Sequence, residues 1–265
     1  MQKRFDFSIE SEVIQPQKQF KVLLIGDSCI DKYVYGTCDR ISPEAPVPIL
    51  RYERVEYREG MASNVFNNLK SFGIESKFIT NSEKIVKTRF VDSKSNQQIV
   101  RLDEEPEVQS LGYDLPEEKY DALIISDYCK GFITSKRIFE LAEWFDGAVF
   151  IDSKKTSLPI NGAYIKINED EYSKIDDKSN PNLIVTKGSK GANYKGVNYP
   201  GVNVGVYDVC GAGDTFLCAL VYFYLLYGKI ESAIPYANKA ASIAVQNQGT
   251  YILQENDVNE ICCRY

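Results

Sequence analysis

Near the carboxyl end of the chain, Asp208-Val-Cys-Gly-Ala-Gly-Asp-Thr-Phe216 opens onto an almost wholly apolar run, Phe216 to Tyr227. A helix that is apolar on every side has to be buried on every side, so this stretch needs a core large enough to surround it. The lead-in is β-prone, and the glycines at 211 and 213 permit a tight turn that β-carbons would forbid. The first N–H groups of the helix lack intrahelical partners and point at whatever lies above the turn, which favours an anion such as a phosphate. Asp214 is the odd member, because a carboxylate beside a phosphate site repels the ligand unless it has a task there. Taking the proton from an attacking hydroxyl would be such a task. The nine residues alone also admit a plainer reading, in which Gly211 and Gly213 only make a turn and Asp214 only favours the helix N-terminus.

The 265 residues are 44% hydrophobic, enough for one large α/β domain. A net charge of −6 argues against a general nucleic-acid binder, without excluding a local basic pocket for a phosphorylated metabolite. Histidine is absent, which removes His-based catalysis and His metal ligation. Seven cysteines with no C-x-x-C point to a reducing compartment rather than a disulfide framework. Met1 to Phe20 has no signal-type apolar core, and no apolar run reaches the roughly 18 residues of a membrane span. The expectation is a soluble, cytoplasmic protein.

Lys21–Ile25 is a short apolar run ending in Gly26-Asp27, and further such runs are Ala122–Ile125, Ala148–Ile151, Tyr164–Ile167 and Leu183–Val185. Helical spacing separates them, with Val65, Leu69 and Phe72 on one stripe and Ile138, Leu141, Ala142 and Phe145 on another. The alternation predicts an α/β fold, a mostly parallel doubly wound sheet with helices on both faces. Ligands of such sheets sit outside the carboxyl ends of the strands, where Asp27, Asp127, Asp152 and Asn168 fall. Pro46–Arg58 and Lys87–Asp103 break the pattern, being β-prone and charged, with Ser95-Asn96 at a hairpin turn. They read as a small protruding sheet, either a lid over a ligand or an ordinary edge extension.

Several motifs follow one another in order: Gly26-Asp27, Asp31-Lys-Tyr, Arg40-Ile-Ser-Pro-Glu-Ala-Pro-Val-Pro48, the Gly60–Asn64 turn, Asn96–Asp103, Ser126-Asp-Tyr-Cys-Lys-Gly131, Asn168-Glu-Asp-Glu171, Thr186-Lys-Gly188 and Gly249-Thr250. With Asp208–Phe216, they resemble the ribokinase-like (PfkB) carbohydrate kinases from about Lys21 to Thr250, and within them most of all the heptose 7-phosphate kinases. The resemblance implies one ribokinase-like domain over residues 1–265, with lid strands near 33–58 and 87–104 and an N-terminal extension at 1–19. It implies Asp214 as catalytic base, with Gly211, Ala212 and Gly213 as an anion hole for the transferred phosphoryl group. It places Asn168 and Glu171 at the nucleotide phosphates, with Glu171 as the magnesium ligand, an oxygen donor of the hard type Mg²⁺ prefers. Thr186, Lys187 and Gly188 would loop over the ATP, and Asn238 would flank its base.

For the acceptor, Asp27 and Asp31 match positions that hold sugar hydroxyls, and Asn64 would face the same cleft. Lys87, Arg89, Arg101 and Lys130 are the candidates for a substrate phosphate, a guanidinium being able to grip one with two bonds. The residues alone equally allow lid charges that only keep an exposed sheet edge soluble. The implied reaction is phosphorylation of D-glycero-β-D-manno-heptose 7-phosphate by ATP at the anomeric hydroxyl. The rival readings are the same chemistry on another sugar or sugar phosphate, and a silent relative that only binds one. Three departures stand out: Met61 replaces the second glycine of a Gly-Gly turn, Cys210 a threonine or small residue, and Ile79–Arg89 lacks an αβ stretch. No nucleotidyltransferase module, of the kind fused to some of those kinases, is expected after Thr250. The expected partners are sugar phosphate and ATP, with no nucleic acid or membrane, in a homodimer formed through the lid.

Overall fold

The computed structural model describes residues 19–159 and 161–263, so all but one residue of the expected N-terminal extension lies outside the described residues. The elements in chain order are β1 (Lys21–Gly26), β2 (Ser28–Ile41), β3 (Pro48–Met61), α1 (Ala62–Ser71), β4 (Glu75–Ile79), β5 (Val86–Asp92), β6 (Gln98–Glu104) and β7 (Ala122–Asp127). There follow α2 (Ser135–Trp144), β8 (Ala148–Ser153), β9 (Tyr164–Asn168), α3 (Glu169–Lys174), β10 (Leu183–Thr186), β11 (Ala192–Tyr194), β12 (Val197–Tyr199), α4 (Ala212–Tyr227), α5 (Ile230–Ala244) and α6 (Glu255–Cys262).

All five expected apolar runs are strands of one eight-stranded sheet, in the order β12-β11-β10-β9-β8-β7-β1-β4. Because these strands alternate between two covered faces, their sequences read as continuous apolar runs. In β1, Val22 and Leu24 join one core while Leu23 and Ile25 join the other. The first core packs against α1, α4, α5 and α6, and the second against α2 and the flank of α3. The apolar helix α4 lies in the first core, with every residue from Asp214 to Phe223 buried. The strands from β10 to β4 are parallel, and the hairpin β11–β12 extends the sheet antiparallel, an addition too short and polar to announce itself in the sequence.

The lid is a second sheet in the order β3-β2-β5-β6. Its first strand starts at Ser28, earlier than the expected 33, and pairs antiparallel with β3 and parallel with β5. Cys29, Asp31, Tyr33 and Tyr35 face inward and are buried. The register sets two rows across the opposite face, Tyr57–Lys32–Thr88–Leu102 and Val55–Val34–Phe90–Val100. Tyr57, Val100 and Leu102 are more than half exposed there, at 63%, 53% and 52%.

Candidate active site

The polar residues gather beyond the carboxyl ends of the parallel strands, where α4 begins. Gly211 caps this helix with φ 76° and ψ −4°, a left-handed conformation that costs an L-residue about 1–2 kcal/mol. Space makes the same demand, since a β-carbon at 211 would stand 2.8 Å from the Asn64 amide nitrogen. Asp208 ties the turn down by accepting from Cys210 N–H at 3.0 Å and from Gly249 N–H at 2.8 Å. Among the described residues the N–H groups of Gly211 and Gly213 have no acceptor, whereas that of Ala212 reaches back to Val209 O at 3.3 Å. Two open donors at the positive end of a 16-residue helix form a ready site for an oxyanion.

Asp214 sits in the first turn of α4 and is only 4% exposed. Asn64 Nδ2 donates to its Oδ2 at 3.0 Å, and the Tyr128 hydroxyl donates to its Oδ1. The Asn64 carbonyl oxygen accepts from Asn68 at 3.1 Å, which leaves the amide nitrogen turned to the carboxylate. Burial pushes the Asp214 carboxyl up to about 6, against the pull of these two donors; Asp152 adds to the rise and the Lys166 ammonium opposes it. A carboxyl tuned near neutrality can take a proton from a hydroxyl at ordinary pH.

On the acceptor side the structure gives Asp27 a different task from the expected contact with sugar. The residue is wholly buried, its Oδ2 accepting from Tyr128 N–H at 2.7 Å and Lys130 N–H at 3.4 Å, its Oδ1 from Phe132 N–H at 3.3 Å. It folds the loop after β7 instead of facing the cleft. Asp31 is buried and ion-paired to Arg89, close enough that both charges bear on the Cys210 thiol, which burial raises to about 11. A β-carbon at Gly60 would collide with the Asp31 carboxylate, which explains that glycine. Lys87 stands across from Asp31 in the register, and Arg101 across from Arg89 on the exposed edge strand, paired to Asp103 at 2.8 Å. Lys130 is ion-paired to Glu105. Thus Asp31, Asn64 and Arg89 converge on the α4 turn, while Arg101 and Lys130 are held by carboxylates of their own. Lys154, which sequence reasoning did not single out, lies 4.8 Å over the Tyr128 ring. Met61 holds φ 57° and ψ −134°, a conformation suited to glycine, and its buried side chain packs with Cys29, Ile85 and Tyr128. Such backbone costs about 1–3 kcal/mol for a residue with a side chain.

On the other side of the turn, a cavity of about 370 Å³ is lined by Asn168, Thr186, Gly188, Val206, Gly213 and Asn238, among others. Thr186 Oγ1 donates to Ile167 O at 3.2 Å, and Asn238 Nδ2 to Tyr199 O and Pro200 O at 3.1 Å each, so both side chains brace the walls. Lys187 turns away and lines a neighbouring cleft with Tyr172, Lys178 and Lys195, contrary to its expected place over the nucleotide. Asn168 and Glu171 form a capping box on α3: Glu171 N–H donates to Asn168 Oδ1 at 2.8 Å, and Asn168 N–H to Glu171 Oε2 at 2.9 Å. Local helix capping therefore accounts for part of the N-x-x-E motif and leaves Glu171 Oε1 available. No group of three or more His, Cys, Asp or Glu that could hold a metal occurs among the described residues. One carboxylate oxygen suits a magnesium ion held chiefly by water and phosphate oxygens, as that ion commonly is.

Sequence reasoning also missed Lys166. Its ammonium is buried in the middle of β9, 2.6 Å from Asp152 Oδ2 and 2.8 Å from where a β-carbon on Gly213 would lie. Burial works to lower its pKa, but the charge and hydrogen bond of Asp152 prevail and raise it. A lysine inside an otherwise apolar strand was the available signal, since buried charge has to be paired. A roomier cleft of about 510 Å³ lies against α2, but its titratable lining is Glu143, Asp176 and Asp177, the wrong sign for a nucleotide.

Comparison with known proteins follows this geometry. The model of the pfkB family carbohydrate kinase matches residues 165–257, from β9 to the first turn of α6. The bifunctional protein HldE of Nitratiruptor sp. is 32% identical over 91% of this chain and 64% of its own length. The HldE of Salmonella arizonae is 31% identical over 86% of this chain and 60% of its own. The chain therefore spans somewhat under two thirds of these relatives. Among solved structures, ribokinase from Thermotoga maritima superposes with a TM-score of 0.70 at 16% identity, covering 91% of this chain and 99% of that one. Ribokinase of Arabidopsis thaliana complexed with ribose and ATP gives 0.65 at 14% identity, covering 94% of this chain and 100% of its own. At such identities these two attest the ribokinase fold. Fold, family model and sequence relatives all liken the chain to the carbohydrate kinases of the pfkB family.

Proposed function

We propose that this chain transfers the γ-phosphoryl group of ATP to a sugar phosphate, and that the acceptor is D-glycero-β-D-manno-heptose 7-phosphate at its anomeric hydroxyl. The observation that carries the chemistry is the buried Asp214 carboxylate beside the open N–H donors of Gly211 and Gly213. Asp214 takes the hydroxyl proton while the two donors and the Lys166 ammonium neutralise charge on the transferred group. The valine-lined cavity takes the adenosine part, with Glu171 as the protein ligand of the accompanying magnesium, which supplies charge neutralisation at the phosphates when bound. Kinship with the HldE proteins supports the heptose. Arg89, Lys87 and Lys154 supply positive charge on the acceptor side for the 7-phosphate.

A second acceptor reading rests on Met61, whose side chain takes up room next to Tyr128 and would suit a smaller sugar phosphate. The deciding experiment is ADP release with MgATP against heptose 7-phosphate, sedoheptulose 7-phosphate, fructose 6-phosphate, ribose and fructose. Turnover on heptose 7-phosphate alone is expected. Turnover on another member of the panel would move the reading to that sugar, and none at all with ATP still bound would favour a silent binder.

The assembly in this reading is a homodimer in the cytoplasm, where ATP is available, joined through the outer lid face with its rows of exposed Tyr57, Val100 and Leu102. An apolar face on a sheet edge invites pairing. No helix among the described residues is long and apolar enough to cross a membrane.

A further inference from the structure

Residues 128–132 form a loop braced with unusual thoroughness for a surface connection. The wholly buried Asp27 accepts from three of its N–H groups. Asp127, buried at its start, accepts from Cys129 N–H at 3.0 Å, Ser153 Oγ at 2.5 Å and Lys155 Nζ at 2.6 Å. Cys129 takes φ 57°, a conformation that favours glycine. Two buried carboxylates and a strained residue thereby hold one side chain, Tyr128, whose hydroxyl donates to Asp214. Its ring packs with Met61 and Cys29 and lies under Lys154, and among the described residues the hydroxyl has no hydrogen-bond partner besides Asp214.

We propose that Tyr128 is a positioning residue for phosphoryl transfer: with Asn64 it takes one lone pair on each Asp214 oxygen, fixing the carboxylate so that a remaining lone pair receives the acceptor proton. This rests on the reading of Asp214 as the base. The phenol itself stays protonated, because burial first and then the Asp214 and Asp152 charges push its pKa well up. As a donor to the ionised carboxylate it holds the base charged, so its loss raises the pKa of Asp214. The titratable groups facing Asp214 from its surroundings are Tyr128 after β7, Asp152 on β8, Lys166 on β9, Cys29 on β2, and Cys210 and Cys218 beside and within α4. The three thiols are all pushed up by burial and stay neutral around pH 6, so Asp214 is the group whose midpoint should move.

The test is the Tyr128→Phe variant, compared with the unaltered protein in two measurements. Titration of the Asp214 side-chain carboxyl by ¹³C NMR needs no substrate: a midpoint near pH 6 is expected, moving up by about one unit in the variant. With the acceptor identified by the panel above, kcat should fall roughly ten- to a hundredfold while KM for ATP stays, and the acid limb of the rate profile should move with the midpoint. An unmoved midpoint overturns the proposal, even if activity falls through a general loss of structure. A moved midpoint with unchanged kcat overturns it as well. If Tyr128→Phe does not fold, the ¹³Cζ resonance of Tyr128 in the unaltered protein serves, and it must titrate together with Asp214. Failure of the underlying reading looks different: Asp214→Asn would then keep its turnover, whatever Tyr128 does.

Discussion

The two sides of the α4 turn are built on opposite plans. The cavity lined by Val202, Val204, Val206 and Val209 is largely apolar, with amides and hydroxyls such as Asn238, Thr186 and Ser242 among its walls, and its buried Lys166 is already partnered by Asp152. The acceptor side is crowded with charge satisfied internally: Arg89 with Asp31, Lys130 with Glu105, Arg101 with Asp103. In the proposed reading one side is the slot for the adenosine part of ATP. In that reading the other exchanges the buried Asp31–Arg89 pair for contacts with the ligand, so selectivity there would depend on whether the incoming anion replaces a carboxylate well. Buried charges left without a partner are costly, which makes such exchange strict.

The largest expected effect breaks the comparison at its centre. Asp214→Asn should lower kcat by roughly 10²–10⁴, the range of a lost general base, while calorimetric ATP binding persists; unchanged turnover would remove Asp214 from the reaction. Next comes Arg89→Ala, which leaves Asp31 buried without its partner and should destabilise the fold by about 3–5 kcal/mol. Where it folds, acceptor KM should rise at least tenfold with ATP affinity kept, measured by initial rates. A larger loss for ATP than for acceptor would reverse the assignment of the two sides.

The pH profile is a milder probe of the same boundary. As the proposed base Asp214 has to be ionised, and burial has raised it to about 6. Acceptor kcat/KM should therefore be flat above that value and fall about tenfold per unit below it, whereas ATP binding should show no such limb at that pH. Gly213→Ala touches the nucleotide side more gently, since the new β-carbon meets the flexible end of Lys166 at 2.8 Å. ATP affinity should weaken about three- to tenfold, well short of the effect at Gly211, where φ is positive. Met61→Gly should be smallest in stability, within about 1 kcal/mol by denaturant unfolding, because relieved strain offsets lost burial. It should also broaden the range of acceptors in the panel, and a panel left unaltered would show that Met61 does not shape the site.

The five buried strands and the glycine turn before α4 were legible because each depends on local composition: apolar runs bounded by polar loops, and glycines before an apolar helix. The lid was legible in outline, although β2 began earlier than expected, since Asp31 and Lys32 interrupt its apolar pattern. Among site residues, Asn64 was expected to face the sugar cleft, and the structure has its amide donate to Asp214 at 3.0 Å, a contact between residues 150 positions apart that the sequence did not announce. Asp27 was assigned to sugar because a carboxylate after a strand looks the same in sequence whether it meets a hydroxyl or three backbone N–H groups. Lys187 was misplaced because the direction of a strand-end side chain depends on the turn that follows. Tyr128 and Lys166 were passed over, as nothing in their immediate sequence tells that they approach Asp214, one from the loop after β7 and the other from β9.

By itself, then, the sequence determined the layered parallel sheet, the buried helix and the turn at its head, because periodicity and glycine sterics act over a few residues. Only the tertiary structure decided which charges are free and which already have partners. An ion pair such as Asp31 with Arg89 joins residues 58 positions apart, and its existence depends on strand register and burial, which no local pattern encodes.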